Sequence, residues 1–80
     1  MKIELLAFGI TKDILGGRQV SYEWEGPANV EGLLLSLREK HPQLADLKSL
    51  KVAVNSEYAG LDKTIGPQDE VVLIPPVSGG

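Results

Sequence analysis

The stretch NVEGLLLSLREK, residues 29–40, decides the fold of this chain. Its apolar side chains recur at positions i, i+3, i+4 and i+7, the spacing of a helix with one apolar face. Asn29 belongs to the residue types that cap helix N-termini, and Pro42 pushes His41 out of the helical region of backbone space. The sequence therefore predicts a helix that ends near Lys40, whose apolar stripe is Val30, Leu33, Leu34 and Leu37.

Strand patterns lie on both sides of this helix. Residues 3–8 form a short apolar run, and in residues 18–24 apolar and aromatic side chains alternate with polar ones. Residues 51–55 and 70–74 have the same character after the helix, and residues 58–61 suggest a further short strand. Because the leucine stripe needs a second layer to cover it, the sequence predicts an α+β domain: a mixed sheet of about four to five strands on one main helix.

Glycine, proline and asparagine mark the connections. Residues 10–15 are expected to form a helical turn before the chain reverses at Gly16-Gly17. A tight turn is predicted at Asn55-Ser56-Glu57, and another at residues 66–69, where Pro67 is pre-set for the second position. Residues 44–50 are predicted to form an apolar connection that could include a turn of helix. Trp24 is expected to cover an edge of the small core.

Composition narrows the function classes. The chain has 80 residues, enough for one domain with a small core, and it contains no cysteine, which excludes disulfides, thiolate metal sites and a thiol nucleophile. A net charge of −3 gives no electrostatic footprint for nucleic acid. No signal peptide or membrane segment is expected, and the protein is expected to be cytoplasmic. His41, the single histidine, is interpreted as a helix-end residue and not as a metal ligand.

The strand faces suggest a docking surface. The residues assumed to face the helix are Val52, Val54, Ile3, Leu5, Val71 and Leu73. Alternation along the strands then sends other bulky side chains to the opposite face. A cluster of bulky apolar groups on a face that should meet solvent is typical of a partner-binding surface. The predicted partner-binding residues are Leu6, Phe8, Tyr58, Val72 and Ile74.

The C-terminal tail, residues 75–80, is predicted to leave the body of the domain. Pro75 and Pro76 cannot donate hydrogen bonds to a sheet, so the last strand should stop there. Residues 77–80, fully extended, would reach about 13 Å, far enough to bring a terminal carboxylate into a partner's pocket. Gly79 and Gly80 lack Cβ atoms, so they would let the walls of a narrow channel approach the backbone.

Three motifs together resemble a known family. They are Val52-Ala53-Val54-Asn55 with the turn after it, Asp69-Glu70-Val71, and above all Ile74-Pro75-Pro76-Val77-Ser78-Gly79-Gly80 at the end of the chain. Over its whole length the chain resembles the small subunit of molybdopterin synthase, a ubiquitin-like β-grasp sulfur carrier. Two departures are visible: Gln68 stands where many relatives have glycine, and residues 5–8 contain a single aromatic residue, Phe8, where relatives often have two.

The resemblance implies a specific chemistry for the tail. An E1-like adenylating enzyme would activate the Gly80 carboxylate with ATP, and a sulfur donor protein would then convert it to a thiocarboxylate. The large catalytic subunit, in a heterotetramer with this one, would pass the sulfur to a cyclic pterin precursor. Gly80 would carry the covalent chemistry and Gly79 would give clearance, while Leu6, Tyr58 and Ile74 match the family's apolar contact patch. The chain itself would bind no cofactor and would not be catalytic alone.

Two alternatives share much of this reasoning. The same carrier chemistry could serve thiamine, tRNA or amino-acid sulfuration, or attach the Gly80 acyl group to a lysine. The chain could also be a β-grasp interaction module whose tail is inert. The Pro-Pro-Val-Ser segment and the internal motifs favour the molybdopterin synthase carrier.

Overall fold

The computed structural model of the chain describes residues 1–46 and 50–75. Within these two ranges eight elements follow one another. They are strand β1 (Lys2–Ala7), helix α1 (Gly9–Leu15), strand β2 (Gln19–Glu23), helix α2 (Val30–Lys40), a 3-10 helix (Pro42–Asp46), strand β3 (Lys51–Val54), strand β4 (Glu57–Tyr58) and strand β5 (Val71–Ile74).

Helix α2 has the ends that the sequence predicts. The Asn29 side chain accepts a hydrogen bond from the backbone N–H of Gly32 at 2.8 Å, which satisfies one of the N–H groups left open in the first turn. At the other end His41 is the C-terminal cap, and its N–H donates to the carbonyl of Leu37 at 2.8 Å. The apolar stripe of the helix is buried.

The sheet is mixed and has five strands in the order β2-β1-β5-β3-β4. Strands β1 and β5 run parallel, with Leu5 beside Val71 and Ala7 beside Leu73. The other neighbours are antiparallel. The predicted α+β architecture, one main helix on a mixed sheet, is thus confirmed, and β5 lies in the middle of the sheet although it is the last strand along the chain.

The core lies between the sheet and α2. The residues predicted to face the helix are all buried: Ile3, Leu5, Val52, Val54, Val71 and Leu73. Trp24 is buried as well, and its ring stacks on that of Tyr22 with centroids 6.1 Å apart. The indole N–H donates to the carbonyl of Pro27 at 3.0 Å. Trp24 is therefore part of the core at the end of β2, held by a second aromatic ring from the same face of the strand.

The helical turn predicted over residues 10–15 is confirmed and belongs to the short helix α1, which begins one residue earlier, at Gly9. One predicted boundary is wrong. The strand predicted over residues 58–61 is only Glu57–Tyr58, because the chain then leaves the sheet. The carbonyls of Leu61 and Lys63 instead accept the N–H groups of Glu31 and Val30, at 2.9 and 3.0 Å. The first turn of a helix leaves N–H groups without partners, and this segment supplies those partners.

The connection after α2 contains the anticipated helical turn, as a 3-10 helix that begins at Pro42. Leu44 belongs to this 3-10 helix and is fully buried. The rest of the predicted apolar connection includes residues 47–49, which lie outside the described residues.

Candidate functional site

The candidate site lies on the face of the sheet that points away from α2. In the observed register Leu6 is beside Val72, Val72 is beside Ala53, and Ala53 is beside Tyr58. Since directly paired residues point to the same side of a sheet, these four side chains form a row across β1, β5, β3 and β4. Ala53 is small and buried within this row, so its neighbours on the row form the surface.

A second level of apolar side chains lies next to this row. Ile74 follows Val72 by two residues along β5 and therefore shares its face. Phe8 follows Leu6 by two residues, just after the pair Ala7 and Leu73, and its backbone is still extended. Phe8 is 45% exposed and Tyr58 is 72% exposed, whereas the remaining members are half-buried. These residues are called the apolar patch below: Leu6, Phe8, Tyr58, Val72 and Ile74. The structure brings all five predicted residues to one face, and their role in binding a partner stays a prediction.

The other half of the same face is polar. The Glu4 carboxylate accepts hydrogen bonds from the Gln19 side chain at 3.2 Å and from the Ser21 hydroxyl at 3.4 Å. Gln19 is the direct neighbour of Leu6, so the boundary of the apolar patch runs between β2 and β1. The apolar half of the face is the half from which β5 leads to Pro75.

The start of the C-terminal tail is held by a small group of residues, of which sequence reasoning missed Gly9 and Thr11. Pro75 is half-buried and its ring lies against Gly9, whose φ is +56°. Among the residues that the structure describes, Thr11 is the one buried polar side chain. Its hydroxyl donates to the Phe8 carbonyl at 2.5 Å and accepts the Phe8 N–H at 3.1 Å. Phe8, Gly9, Thr11 and Pro75 are called the exit corner below.

A sequence signal for the exit corner exists. A threonine can hydrogen-bond the backbone of the residue three positions before it and so fix a sharp corner where a strand leads into a helix. The pattern Phe8-Gly9-Ile10-Thr11 has this spacing. The other predicted tail residues lie outside the described residues: Pro76, Val77, Ser78, Gly79 and Gly80.

The two internal motifs of the sequence meet in space. The Asn55 side chain donates to the Asp69 carboxylate at 3.1 Å and accepts the N–H of Glu70 at 2.9 Å. The N–H of Gly66 donates to the same carboxylate at 2.8 Å. These hydrogen bonds, with the nearby Lys63 ammonium, hold the pKa of Asp69 below its ordinary value. The cluster ties the β3–β4 hairpin to the turn before β5, so it is a structural support for the last strand.

Residues 1–46 and 50–75 contain no group of three or more histidine, cysteine or acidic side chains that could hold a metal ion. Within the same two ranges, no helix has the length and apolar character needed to cross a membrane.

Comparison with known proteins decides the family. The sequence profile of the ThiS family matches residues 5–80. The chain belongs to the ThiS family. Among relatives of this ThiS-family chain, the molybdopterin synthase sulfur carrier subunit of Chlamydomonas reinhardtii is 35% identical over 83 residues, covering 100% of both chains. Small archaeal modifier protein 1 of Haloferax volcanii is 31% identical and covers 98% of this chain and 100% of the relative.

Solved structures show the ubiquitin-like β-grasp fold for this member of the ThiS family. The crystal structure of SAMP1 from Haloferax volcanii is 30% identical, covers 100% of both chains and has a TM-score of 0.78. The complex of subunits 1 and 2 of the molybdopterin-converting factor from Helicobacter pylori contains a chain that is 25% identical, with a TM-score of 0.67 and 100% of both chains covered. The fold class predicted from the sequence is thereby confirmed.

Proposed function

We propose that this ThiS-family chain is the sulfur carrier subunit of a molybdopterin synthase. The observation that carries the proposal is its full-length similarity to molybdopterin synthase sulfur carrier subunits, at 35% identity over 100% of both chains for the Chlamydomonas protein. The apolar patch supports it, because a carrier that visits several enzymes needs a docking surface near its reactive end. The chain acts as a sulfur-donating subunit and is not an enzyme by itself.

The chemistry takes place at the Gly80 carboxylate. A carboxylate is a poor electrophile, so an adenylating enzyme first joins it to the AMP part of ATP and releases pyrophosphate. Hydrosulfide delivered by a sulfur donor protein then attacks the acyl carbon, the bond to the AMP oxygen breaks, and AMP leaves with a thiocarboxylate formed. In the large subunit the sulfur passes to the pterin precursor. Water supplies the oxygen that restores the carboxylate for another round.

Docking makes the delivery of the tail efficient. Once the apolar patch binds a partner, entry of the C-terminal tail into that partner's channel becomes an intramolecular step with a high effective concentration. The partners proposed are the adenylating enzyme, the sulfur donor protein and the large catalytic subunit, the last in a heterotetramer. The Helicobacter complex of subunits 1 and 2 supports the pairing with a large subunit. The proposed compartment is the cytoplasm, where ATP is available to the adenylating enzyme.

Intact-mass measurement tests the proposal. Incubation of the full chain with ATP, an adenylating enzyme and a sulfur donor is expected to raise its mass by one exchange of oxygen for sulfur, located at Gly80 by fragmentation. The variant that lacks Gly80 is the matched control and should keep its original mass. A wild-type chain that folds, binds the adenylating enzyme and still shows no mass change would contradict the carrier function.

A second candidate function is protein modification. The relative named small archaeal modifier protein 1 favours it, at 31% identity over nearly the whole chain. In this case the Gly80 adenylate would react with a lysine amine, AMP would leave, and an amide would join the two proteins. Tagged chain added to extract with ATP would then appear in adducts that survive boiling and that carry the Gly80 acyl group on lysine. A thiocarboxylate in the absence of such adducts supports the sulfur carrier.

A further inference from the structure

We infer that Gly9 is a positioning residue for the C-terminal tail: it holds the Pro75 ring and so fixes the direction in which the chain leaves the sheet. This inference rests on the proposed function, because direction matters only if Gly80 must reach a partner's reaction centre. The inference thus gives Gly9, near the N-terminus, a role in orienting the C-terminal tail.

The contact between Gly9 and Pro75 is tight. A Cβ atom built on Gly9 would lie 3.2 Å from the Cγ atom of Pro75, so the ring would have to move by a few tenths of an ångström to admit it. Gly16 offers the contrast. It also has a left-handed backbone, with φ of +86°, but a Cβ atom there would meet nothing within 4 Å. The absence of a side chain at Gly9 therefore serves the position of Pro75 as well as the local turn.

The rest of the exit corner keeps Gly9 in place. The buried Thr11 hydroxyl bonds both the N–H and the carbonyl of Phe8, the residue just before Gly9. The N–H of Ala7 donates to the Arg18 carbonyl at 2.8 Å, which extends the β1–β2 pairing up to the corner. Gly9 is thus fixed to the sheet on its N-terminal side, and it can act as a stop against which the Pro75 ring rests.

The sequence after Pro75 makes its orientation important. A residue that precedes proline is restricted to extended backbone conformations, so the Pro75-Pro76 pair is a stiff unit by its chemistry. The five residues after Pro75 can span about 16 Å when extended. A change in the direction of the stiff unit therefore shifts the point from which the rest of the tail starts, and misplacement by about 1 Å can lower a reaction rate by about a hundredfold.

A matched pair of substitutions tests the inference. Asparagine tolerates a left-handed backbone better than most residues, so Gly9→Asn and Gly16→Asn introduce the same side chain with little backbone strain. The assay is release of pyrophosphate by the full chain with ATP, adenylating enzyme and sulfur donor. Gly9→Asn is expected to lower kcat by about tenfold or more while KM stays within about twofold, because the apolar patch still docks. Gly16→Asn is expected to leave both within about twofold.

A second substitution keeps the test decisive if Gly9→Asn does not fold. Pro75→Ala removes the ring that rests on Gly9 and should also lower kcat with little change in KM. In a double-mutant cycle Pro75→Ala should be non-additive with Gly9→Asn and additive with Gly16→Asn. Equal kcat values for folded Gly9→Asn and Gly16→Asn, or for wild type and Pro75→Ala, would overturn the inference. A wild-type chain that is not adenylated at all would instead overturn the proposed function.

Discussion

Gly32 shows how strongly one residue can be constrained by its surroundings. It lies in the first turn of α2, where its N–H is bonded by the Asn29 cap. A Cβ atom built on Gly32 would lie 2.2 Å from the carbonyl oxygen of Pro27, and that oxygen already accepts the indole N–H of Trp24. The glycine therefore lets α2 approach the loop that holds the only tryptophan of the chain.

Gly32→Ala is expected to lower the free energy of unfolding by about 1 to 3 kcal/mol, the usual cost of overpacking a buried site. The loss should occur although alanine is favoured over glycine within helices by about 1 kcal/mol. Urea unfolding followed by Trp24 fluorescence measures it, and the folded baseline should shift because the Pro27 carbonyl must move away from the indole.

Gly17→Ala is the control for this substitution. Its Cβ atom would meet Val20 at 3.6 Å, an ordinary van der Waals contact. Its stability should therefore be unchanged or slightly higher, because alanine restricts the unfolded chain. Equal stability of Gly32→Ala and wild type would show that the Pro27 loop yields easily and that the close approach is not a constraint.

Asp69 gives the fold a defined response to acid. The Gly66 N–H and the Asn55 amide stabilise its charged form, and the Lys63 ammonium adds to this, so its folded pKa lies below the ordinary value of 3.8. A carboxylate with a lowered folded pKa contributes stability that is fully present above its unfolded pKa and is lost as the pH falls through the folded pKa. The contribution of Asp69 should therefore disappear only in acid below about pH 3.8.

Asn55→Gly tests this electrostatic support. Glycine accepts the left-handed backbone of position 55, where φ is 53°, and removes the amide donor. The pKa of Asp69, followed by NMR titration of its carboxyl carbon, is expected to rise toward the ordinary value. An unchanged pKa would mean that the Asn55 amide does not contribute and that the Gly66 N–H and the Lys63 ammonium lower it without that amide.

For single residues, the sequence predicted local roles better than contact partners. Asn29 as a cap and His41 as a helix end could be predicted because both roles depend on nearest neighbours in the chain. The roles of Gly9 and Gly32 could not be predicted, since each depends on a contact with a specific ring or backbone elsewhere in the chain. Thr11 was missed although its spacing from Phe8 was a usable signal. The burial of Trp24 was predicted, but its stacking on Tyr22 was missed although the two share one strand face.

Among the elements, the strands carry the most predictable information. Side chains alternate between the two faces of a strand, so the buried phase of β1, β3 and β5 could be assigned from sequence, and with it the apolar patch. The length of β4 could not be assigned this way. Its apolar residues continue past Tyr58, but the chain leaves the sheet because its carbonyls bond the first N–H groups of α2. This tertiary contact cannot be read from the local pattern.

Charged substitutions on the apolar patch test its role at the level of the sheet. Leu6→Asp or Ile74→Asp is expected to weaken binding to the large subunit by more than about 2 kcal/mol, if these residues form the buried centre of an interface. Isothermal titration calorimetry with the separately purified large subunit measures the affinity. Circular dichroism should show that both variants keep the fold, because both side chains lie on the open face and are only half-buried.

Gln43→Asp places the same acidic group on the exposed 3-10 helix, in a segment that contacts α2, and should bind like the wild type. Equal binding by Leu6→Asp, Ile74→Asp and Gln43→Asp would remove the apolar patch from the interface. Unfolding of both patch variants would show that this face is needed for stability and not for docking.

For the whole molecule, the architecture was predictable because one amphipathic helix and a small set of strands have few ways to bury their apolar faces in 80 residues. The order of strands in the sheet was not predictable, since it depends on pairing between strands that are far apart in the sequence. The family was predictable from the motifs near the chain end and is shown by the match over residues 5–80. The chemistry at Gly80 remains a prediction.

The central place of β5 has a consequence for biosynthesis. A ribosome releases the N-terminal strands and α2 first, but the sheet stays split until residues 71–74 emerge and join β1 to β3. Pairing of such distant segments is slow and comes late. A nascent chain, or one that terminates before residue 71, therefore has no complete core and is open to proteases. Folding itself is thus expected to screen out chains that lack the last strand before they meet any partner.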